Sequence, residues 1–523
     1  MNDEREAKLL LQLKEKDAQV ESLTNQLARA EQEIKLLRRK MDALLQRLFG
    51  AKSEQIDSTQ LLLLLQEEEA PGPAAGKESG PELSEALTPR PLRKSPPQKA
   101  KPRIPENLPV VEEVLEPAAV KAAPEQWRRI GEEVTELLDY EPGRFLRRRT
   151  VRPKYIRRGD LDAAPIIAPL PDRILAGGIA APGLLAQIVV SKFCDHLPLY
   201  RQQYIYDSRF GVELPRQTMA RWMGEVAHWL KPIYQAIREQ VMSGRYVQID
   251  ETPIRYLEPG RGETKLGYLW TCCRPGHDVI FHWHTSRSAQ CLEKIVPVAF
   301  NGFVQCDGYK AYGAFARARR EQGNKLTLAG CMAHVRREFF EARAEAPQVA
   351  GWLLYQFALL YKIEERLRQA RAGPALREAV RAAESRMIHQ RIQRALLRFK
   401  QNKRFLPQSG LGRAIDYALG RWSPVSVYLS SGLVEIDNNL VENAIRPTAL
   451  GKKNWLFFGE AQAGERGAII YTIIESCRRR GIDPYRYLRD VLERLPQATN
   501  WTVKELTPEA WARAQTQAGK AAA

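Results

Sequence analysis

At 523 residues the chain is long enough for about two to four domains and at least one large core, so it is not a peptide-like binder. Its 80 Lys and Arg against 62 Asp and Glu give a formal net charge of +18, which favours a polyanionic partner, nucleic acid ahead of an acidic membrane surface. Seven cysteines, an odd number, together with a charged N-terminus lacking a signal-peptide pattern, argue against a disulfide framework and for free thiols in the cytoplasm.

The first fifty residues carry the clearest period. Leu13, Val20, Leu27, Ile34, Met41 and Leu48 fall at heptad position a, and Leu9, Lys16, Leu23, Ala30, Leu37 and Leu44 at d, with only Lys16 polar. Residues 1–50 are therefore expected to form a coiled coil through which the chain self-associates. From 60 to 126 the composition shifts to Pro, Glu, Lys and Ala, as in "APGPAAGKESGPELSEALTPRPLRKSPPQKAKPRIPENLP", which is too poor in apolar surface to fold and reads as a disordered linker.

A small basic module follows over 127–160. Between Arg144 and Arg158 it holds eight Lys or Arg with Phe145 and Tyr155 interleaved and short strands suggested by Val151 and Ile156. Such a run is either a solvated face or a phosphate grip, the latter with Arg147, Arg148 and Arg149 as contacts. The most membrane-like stretch, "ILAGGIAAPGLLAQIVV", is short and broken by Gly177, Gly178 and Pro182, so a buried helix pair is expected and no membrane span. Residues 165–240 read as helical. In "LPRQTMARWMGEVAHWL" Pro215 can start a helix with Met219, Trp222, Met223 and Val226 on one face. A helix-turn-helix presenting Arg216, Gln217 and Arg221 to a major groove and a plain helical subdomain fit this stretch equally.

From 244 the pattern becomes mixed. "GRYVQIDETPIRY" reads as a strand delivering Asp250 at or near its end, "GYLWTCC" and "VIFHWHT" complete a meander, and a helix capped by Ser286 or Ser288 follows. "GFVQCDGYKAY" leads a further strand to Asp307, and "KLTLAG" is a last strand running into "CMAHVRREFFEA". Residues 341–430 form a helical insertion, and 431–497 return to the core through "EIDNNLVENAIRP", where Asp437 or Asn438 caps a helix with Glu442 in its first turns. Residues 498–523 read as a tail.

Two strands and a helix thus each offer one carboxylate. Three converging acids in a basic protein would repel one another unless a hard cation such as Mg²⁺ sat among them, and a pair of such ions is the apparatus of phosphoryl displacement. The plainer alternative keeps Asp250 and Asp307 as turn residues and pairs Glu442 with Arg446 along a helix. Cys331-x-x-His334 is half a zinc site, so zinc is not expected there. Arg336 and Arg337 suit phosphate contacts, and Lys452, Lys453 and Trp455 read either as substrate contacts or as a solvated turn beside a core tryptophan.

The motifs "QIDETPI", "TKLGYLW", "SRSA", "VQCDGYKAY", "LAGCMAHVRREFF", "EIDNNLVENAIRPTALGKKNWLFFG", "GERGAIIYTIIESCRRRGIDPYRYL" and "LRDVLERL" occur here in the order seen in transposases of the insertion-sequence sixty-six family, TnpC type, which the chain resembles from its zipper almost to its end. The resemblance implies a multidomain α+β and α/β protein with an N-terminal coiled coil, a helical DNA-binding region and a ribonuclease-H-like DDE core interrupted by helices. It implies Asp250, Asp307 and Glu442 as catalytic and metal residues, two Mg²⁺ ions with Mn²⁺ able to replace them, and no covalent enzyme intermediate. The implied reaction binds the inverted repeats ending an insertion sequence, cuts there and joins the ends to target DNA in the bacterial nucleoid, with small companion proteins of the same element as further partners. One departure stands out: the family usually places a Cys-rich zinc module before the helical region, whereas no cysteine precedes Cys194 here, so no zinc site carries over. Two other readings use the same features, a metal-dependent nuclease or resolvase of the same fold and a non-catalytic coiled-coil regulator.

Overall fold

The computed structural model describes residues 104, 106, 108–141, 143–157, 164–258, 260 and 262–522. The expected coiled coil and most of the expected linker lie outside the described residues. The linker ends earlier than composition suggests: Val110–Val114 forms strand β1, pairing parallel with β3, and Ala118–Ala122 forms the short helix α1.

The basic module is a long hairpin rather than a set of short strands. β2 (Trp127–Glu141) and β3 (Arg144–Arg157) pair antiparallel across a turn at Gly143, whose φ of 89° suits a residue without Cβ. The register sets the acids of β2 beside the bases of β3. Arg147 and Arg149 both pair with Glu136, Arg152 and Lys154 with Glu133, and Arg148 with the buried Asp139. Most of the run is thereby neutralised within the hairpin, and since exposed pairs are worth only about 0–1 kcal/mol each, Asp139 matters most. Its other oxygen accepts the Leu184 N–H in the first turn of α2 (Pro182–Phe193), which ties hairpin to helix. The short strand β4 (Ile166–Ile167) closes this sheet against β3.

The stretch read as helical folds as α2, α3 (Leu199–Phe210) and α4 (Arg216–Met242), with 174–190 giving one helix instead of a pair. Gly211, with φ 64°, ends α3. α4 buries Met219, Trp222, Met223 and Val226 as the spacing predicts and leaves Arg216, Gln217 and Arg221 exposed. Among the described residues no helix is long and apolar enough to cross a membrane.

The central sheet runs β7-β6-β5-β8-β9, formed by β5 (Tyr246–Leu257), β6 (Thr264–Cys273), β7 (Val279–His284), β8 (Gly302–Gln305) and β9 (Leu326–Ala329). The first three strands in sequence are an antiparallel meander; β8 and β9 run parallel to β5. Helices α5 (Ala289–Ile295) and α6 (Lys310–Glu321) make the crossovers. On the far side of the sheet α14 (Ala461–Arg479) covers the edge strand β7, where Thr472 accepts the Phe281 N–H.

After α7 (Met332–Glu341) the insertion folds as α8 (Pro347–Gln369), α9 (Pro374–Val380), α10 (Arg386–Gln401), α11 (Gly410–Gly420) and α12 (Trp422–Ser426) around a second core. Fully buried Arg381, between α9 and α10, forks onto Glu364 of α8 and donates to the carbonyls of Tyr428, Ser431 and Val434. The chain then enters α13 (Asn439–Trp455), β10 (Phe457–Phe458), α14 and α15 (Pro484–Arg494). The expected tail is also folded: α16 (Pro508–Ala522) buries Trp511, which donates to Asp490 and stacks edge-on against Tyr487.

Candidate active site

Asp250 lies in the middle of β5, not at its end. β6 pairs with β5 through Asp250 on one edge, but on the other edge β8 pairs only with Tyr246–Gln248 and β10 only with Arg255 and Tyr256, so among the described residues no strand fills the gap between them. α13 packs over this gap, where Lys452 donates to Thr252 and to the Pro253 carbonyl. Asp307 follows β8 and is held by the Tyr309 N–H at 2.8 Å. Glu442 occupies the first turn of α13. Burial first, then the Glu251, Asp307 and Glu442 charges, push the Asp250 carboxyl up to about 8 from an ordinary 3.8.

The reason these elements meet is a buried amide network that the motifs do not advertise. Gln248 and Gln305, each two residues before its aspartate, are fully buried and adjacent in the parallel register. Gln248 Nε2 donates to Gln305 Oε1 at 3.0 Å and to the Asp437 carbonyl at 2.9 Å, while Oε1 accepts the Val441 N–H at 3.3 Å. Gln305 Nε2 donates to the carbonyls of Gly330 and Glu435. Strands β5 and β8 therefore grip the segment immediately preceding Glu442. Gln248→Leu strands the Asp437 carbonyl in a dry site, at roughly 1–3 kcal/mol for a group left unpaired, and leaves the Val441 N–H only its bond to the Asn438 carbonyl. A lowered unfolding midpoint is expected, and, if Glu442 is catalytic, a loss of DNA cleavage on the order of a hundredfold from a displacement of about 1 Å. Wild-type stability in this variant would show that the network does not hold the segment.

The raised Asp250 pKa has a sign that can be read in solution. The folded chain keeps this proton at pH values where the unfolded chain has lost it, so this group's contribution to stability falls as pH rises from about 4 to 8. We expect metal-free protein to lose thermal stability across that window more steeply than Asp250→Asn does, and Mg²⁺ to flatten the wild-type slope. Parallel slopes for the two proteins in chelator would place Asp250 outside the acid cluster.

Glu251, on the opposite face of β5, is a further buried acid. Arg287 binds it at 2.6 Å and the Tyr312 hydroxyl at 2.7 Å, and the Arg287 guanidinium lies 3.7 Å from the Tyr309 ring centroid. Burial raises its pKa against these two partners. The motifs "DETP", "SRSA" and "GYKAY" thus converge behind the site, a convergence invisible in sequence because its members are separated by whole elements.

Among the described residues one group of three potential metal ligands has its atoms mutually within 4.8 Å, namely Cys331, His334 and Glu442. The Asp250, Asp307 and Glu442 carboxylates are spaced more openly. Asn438 sits at the N-cap position of α13 without a side-chain cap bond, while Asp437 accepts the Asn439 N–H. Of the basic candidates, Arg337, Arg446 and Lys453 are exposed and make no ion pair among the described residues, and Arg336 lies against the Phe340 ring. Arg147, Arg148 and Arg149 are tied into the hairpin, as above. Trp455 is half-buried and stacked on Phe458 at 4.8 Å, so it belongs to the packing beneath α13. Arg446 lines a cleft of 930 Å³ along α13 with Arg478, Arg479 and Arg480, which adds cations that sequence reading left out.

Comparison with protein families matches residues 177–466 to "Transposase IS66 family", 472–508 to "IS66 C-terminal element" and 36–112 to "Transposase C of IS166 homeodomain". Among curated proteins, the uncharacterized protein y4jD of Sinorhizobium fredii is 36% identical over 436 residues, covering 80% of this chain and 83% of its own. The uncharacterized protein y4qI of the same organism is 35% identical over 437 residues, covering 81% and 79% respectively. With the family match spanning the helical region, the meander, the insertion and the helix that carries Glu442, the chain belongs to the IS66 family of transposases.

Proposed function

We propose that the chain is a DDE transposase that binds the ends of its insertion sequence, cuts the DNA there and transfers the freed strands to a target. The observation that carries this reading is the gap between β8 and β10 along β5, covered by α13, where buried Asp250 feels the charges of Asp307 and Glu442. The order of elements, an antiparallel meander followed by helix, strand, helix and strand, supports a ribonuclease-H-like core.

The residues present fit divalent ions of the Mg²⁺ type. The donor set is carboxylate oxygen, and burial together with the neighbouring acids keeps Asp250 protonated unless a cation offsets them. Asp250, Asp307 and Glu442 would hold the ions, with Mn²⁺ able to replace Mg²⁺. When bound, such ions activate the attacking oxygen and stabilise the leaving oxygen of an in-line displacement. The protein's own part is orientation. Gln248 and Gln305 fix α13 against β5, and Lys452 holds the middle of the strand edge. The exposed Arg337, Arg446 and Lys453 offer contacts to DNA phosphates on either side.

The decisive experiment incubates the full-length protein with labelled duplexes carrying the inverted repeats and Mg²⁺, with and without the element's companion proteins. Cleavage at the ends and joined products are expected. Cleavage with no joining under any of these conditions would point to a nuclease, and specific binding without cleavage to a regulator.

A further inference from the structure

The sequence offers two ligands at Cys331 and His334, and the fold brings a third. α7 begins at Met332, so Cys331 stands at its N-terminal end and His334 in its first turn, and the first turn of α13 lays Glu442 beside them. His334 Nδ1 and Glu442 Oε1 face each other at 3.7 Å, too far for a hydrogen bond, and both atoms are buried without any partner. Two orphaned polar atoms aimed at each other, with a thiol sulfur within 4.8 Å of both, leave a gap of the size one ion fills. We propose that Cys331, His334 and Glu442 form a transition-metal site, of the Zn²⁺ class, distinct in ligand chemistry from the acid cluster.

The donor set selects the ion. Sulfur, imidazole nitrogen and one carboxylate oxygen suit Zn²⁺ or Co²⁺, whereas Mg²⁺ takes oxygen and has little use for a thiolate. The His334 and Glu442 side chains are 22% and 27% exposed, although the two facing atoms are themselves buried. A supporting shell is in place, since the Asn438 N–H already points at the Cys331 sulfur at 3.5 Å. The Asn438 side chain is also buried, and both its polar atoms lack partners. Glu442 meets this site through Oε1, which leaves its second oxygen for the acid cluster.

Binding exchanges one S–H bond for one S–metal bond and releases that proton to solvent, with no change of oxidation state. Since the thiol must give up its proton to bind, the affinity should rise with pH.

The test uses the full-length chain, reduced and stripped with a chelator, and titrated with Co²⁺ as the probe. One equivalent should bind with a thiolate-to-cobalt charge-transfer band that Zn²⁺ abolishes. Cys331→Ser should lose the band, His334→Gln should weaken binding by at least tenfold, and Asp250→Asn should leave both intact. Circular dichroism checks the fold of each variant, and should Cys331→Ser unfold, the partly exposed His334→Gln decides the matter alone. Absence of the band, its persistence in a folded Cys331→Ser, or unchanged affinity in His334→Gln overturns the site. The outcome is separable from the transposase reading: cobalt can bind in this way to a chain that never cuts DNA, and Mg²⁺-dependent cutting can occur without it.

Discussion

Asp250→Asn should abolish Mg²⁺-dependent cleavage of end-containing DNA, by on the order of a thousandfold or more, while DNA binding and folding stay intact. The amide matches the carboxylate in shape but cannot supply the negative oxygen that a divalent ion requires. Folding should not suffer. Burial and three neighbouring acids make the ionised carboxylate unfavourable in the metal-free chain, so a neutral amide relieves repulsion and the variant should melt at the wild-type temperature or above it near pH 8. The pair of measurements is cleavage rate and melting temperature on the same preparation. Equal cleavage by the variant removes Asp250 from the chemistry, and a variant that loses cleavage only because it unfolds shows that the strand needs the acid for structure.

The positions of Asp307 and Glu442 were legible because strand ends and helix starts have local signals, a turn glycine such as Gly308 and a capping residue ahead of an amphipathic helix, whereas Asp250 sits in mid-strand, where no local signal sets the strand's end. Order along the chain placed the meander, the crossovers and the insertion correctly for the same reason. What failed were judgements that need partners. The run of eight bases between Arg144 and Arg158 looks like a DNA grip until the register of the hairpin sets Glu133, Glu136 and Asp139 against it, and that register is a property of two strands, not one. The linker was extended too far because Val110–Val114 is a weak strand by itself and is fixed by the parallel edge of β3. The tail gives no sign of its place in the fold until Asp490 receives the indole N–H of Trp511. Gln248 and Gln305 did leave a trace, a glutamine two residues before each aspartate in otherwise apolar strands. A buried amide in such a strand needs partners, and the repetition of the spacing indicates that the partners are each other.

Arg381→Ala should be the most destabilising substitution in the helical insertion, at about 3–5 kcal/mol, because it removes one member of a buried ion pair and leaves the rest unmatched. Arg381 and Glu364 are both fully buried, joined by two bonds of 2.7 Å, and the remaining donor serves the carbonyls of Tyr428, Ser431 and Val434 at 2.8 to 3.0 Å. Without the guanidinium, Glu364 keeps only the 3.3 Å contact from Arg377, itself engaged with Glu435 at 2.7 Å. Lysine should rescue little, since a single ammonium cannot fork onto the carboxylate and reach three carbonyls together. The stretch so anchored, 428–435, leads directly into the segment that Gln248 and Gln305 grip, so the insertion acts as a brace for the helix carrying Glu442. Loss of the brace should therefore lower both the urea midpoint and the cleavage rate, and Mg²⁺ should not restore the midpoint. Replacing both partners, Arg381→Leu with Glu364→Leu, removes the unpaired charge and should recover part of the stability, although the three carbonyls lose their shared donor and, among the described residues, only that of Ser431 keeps another, the Val434 N–H. If Arg381→Ala unfolds at the wild-type midpoint, the insertion is an appended domain with no hold on the site.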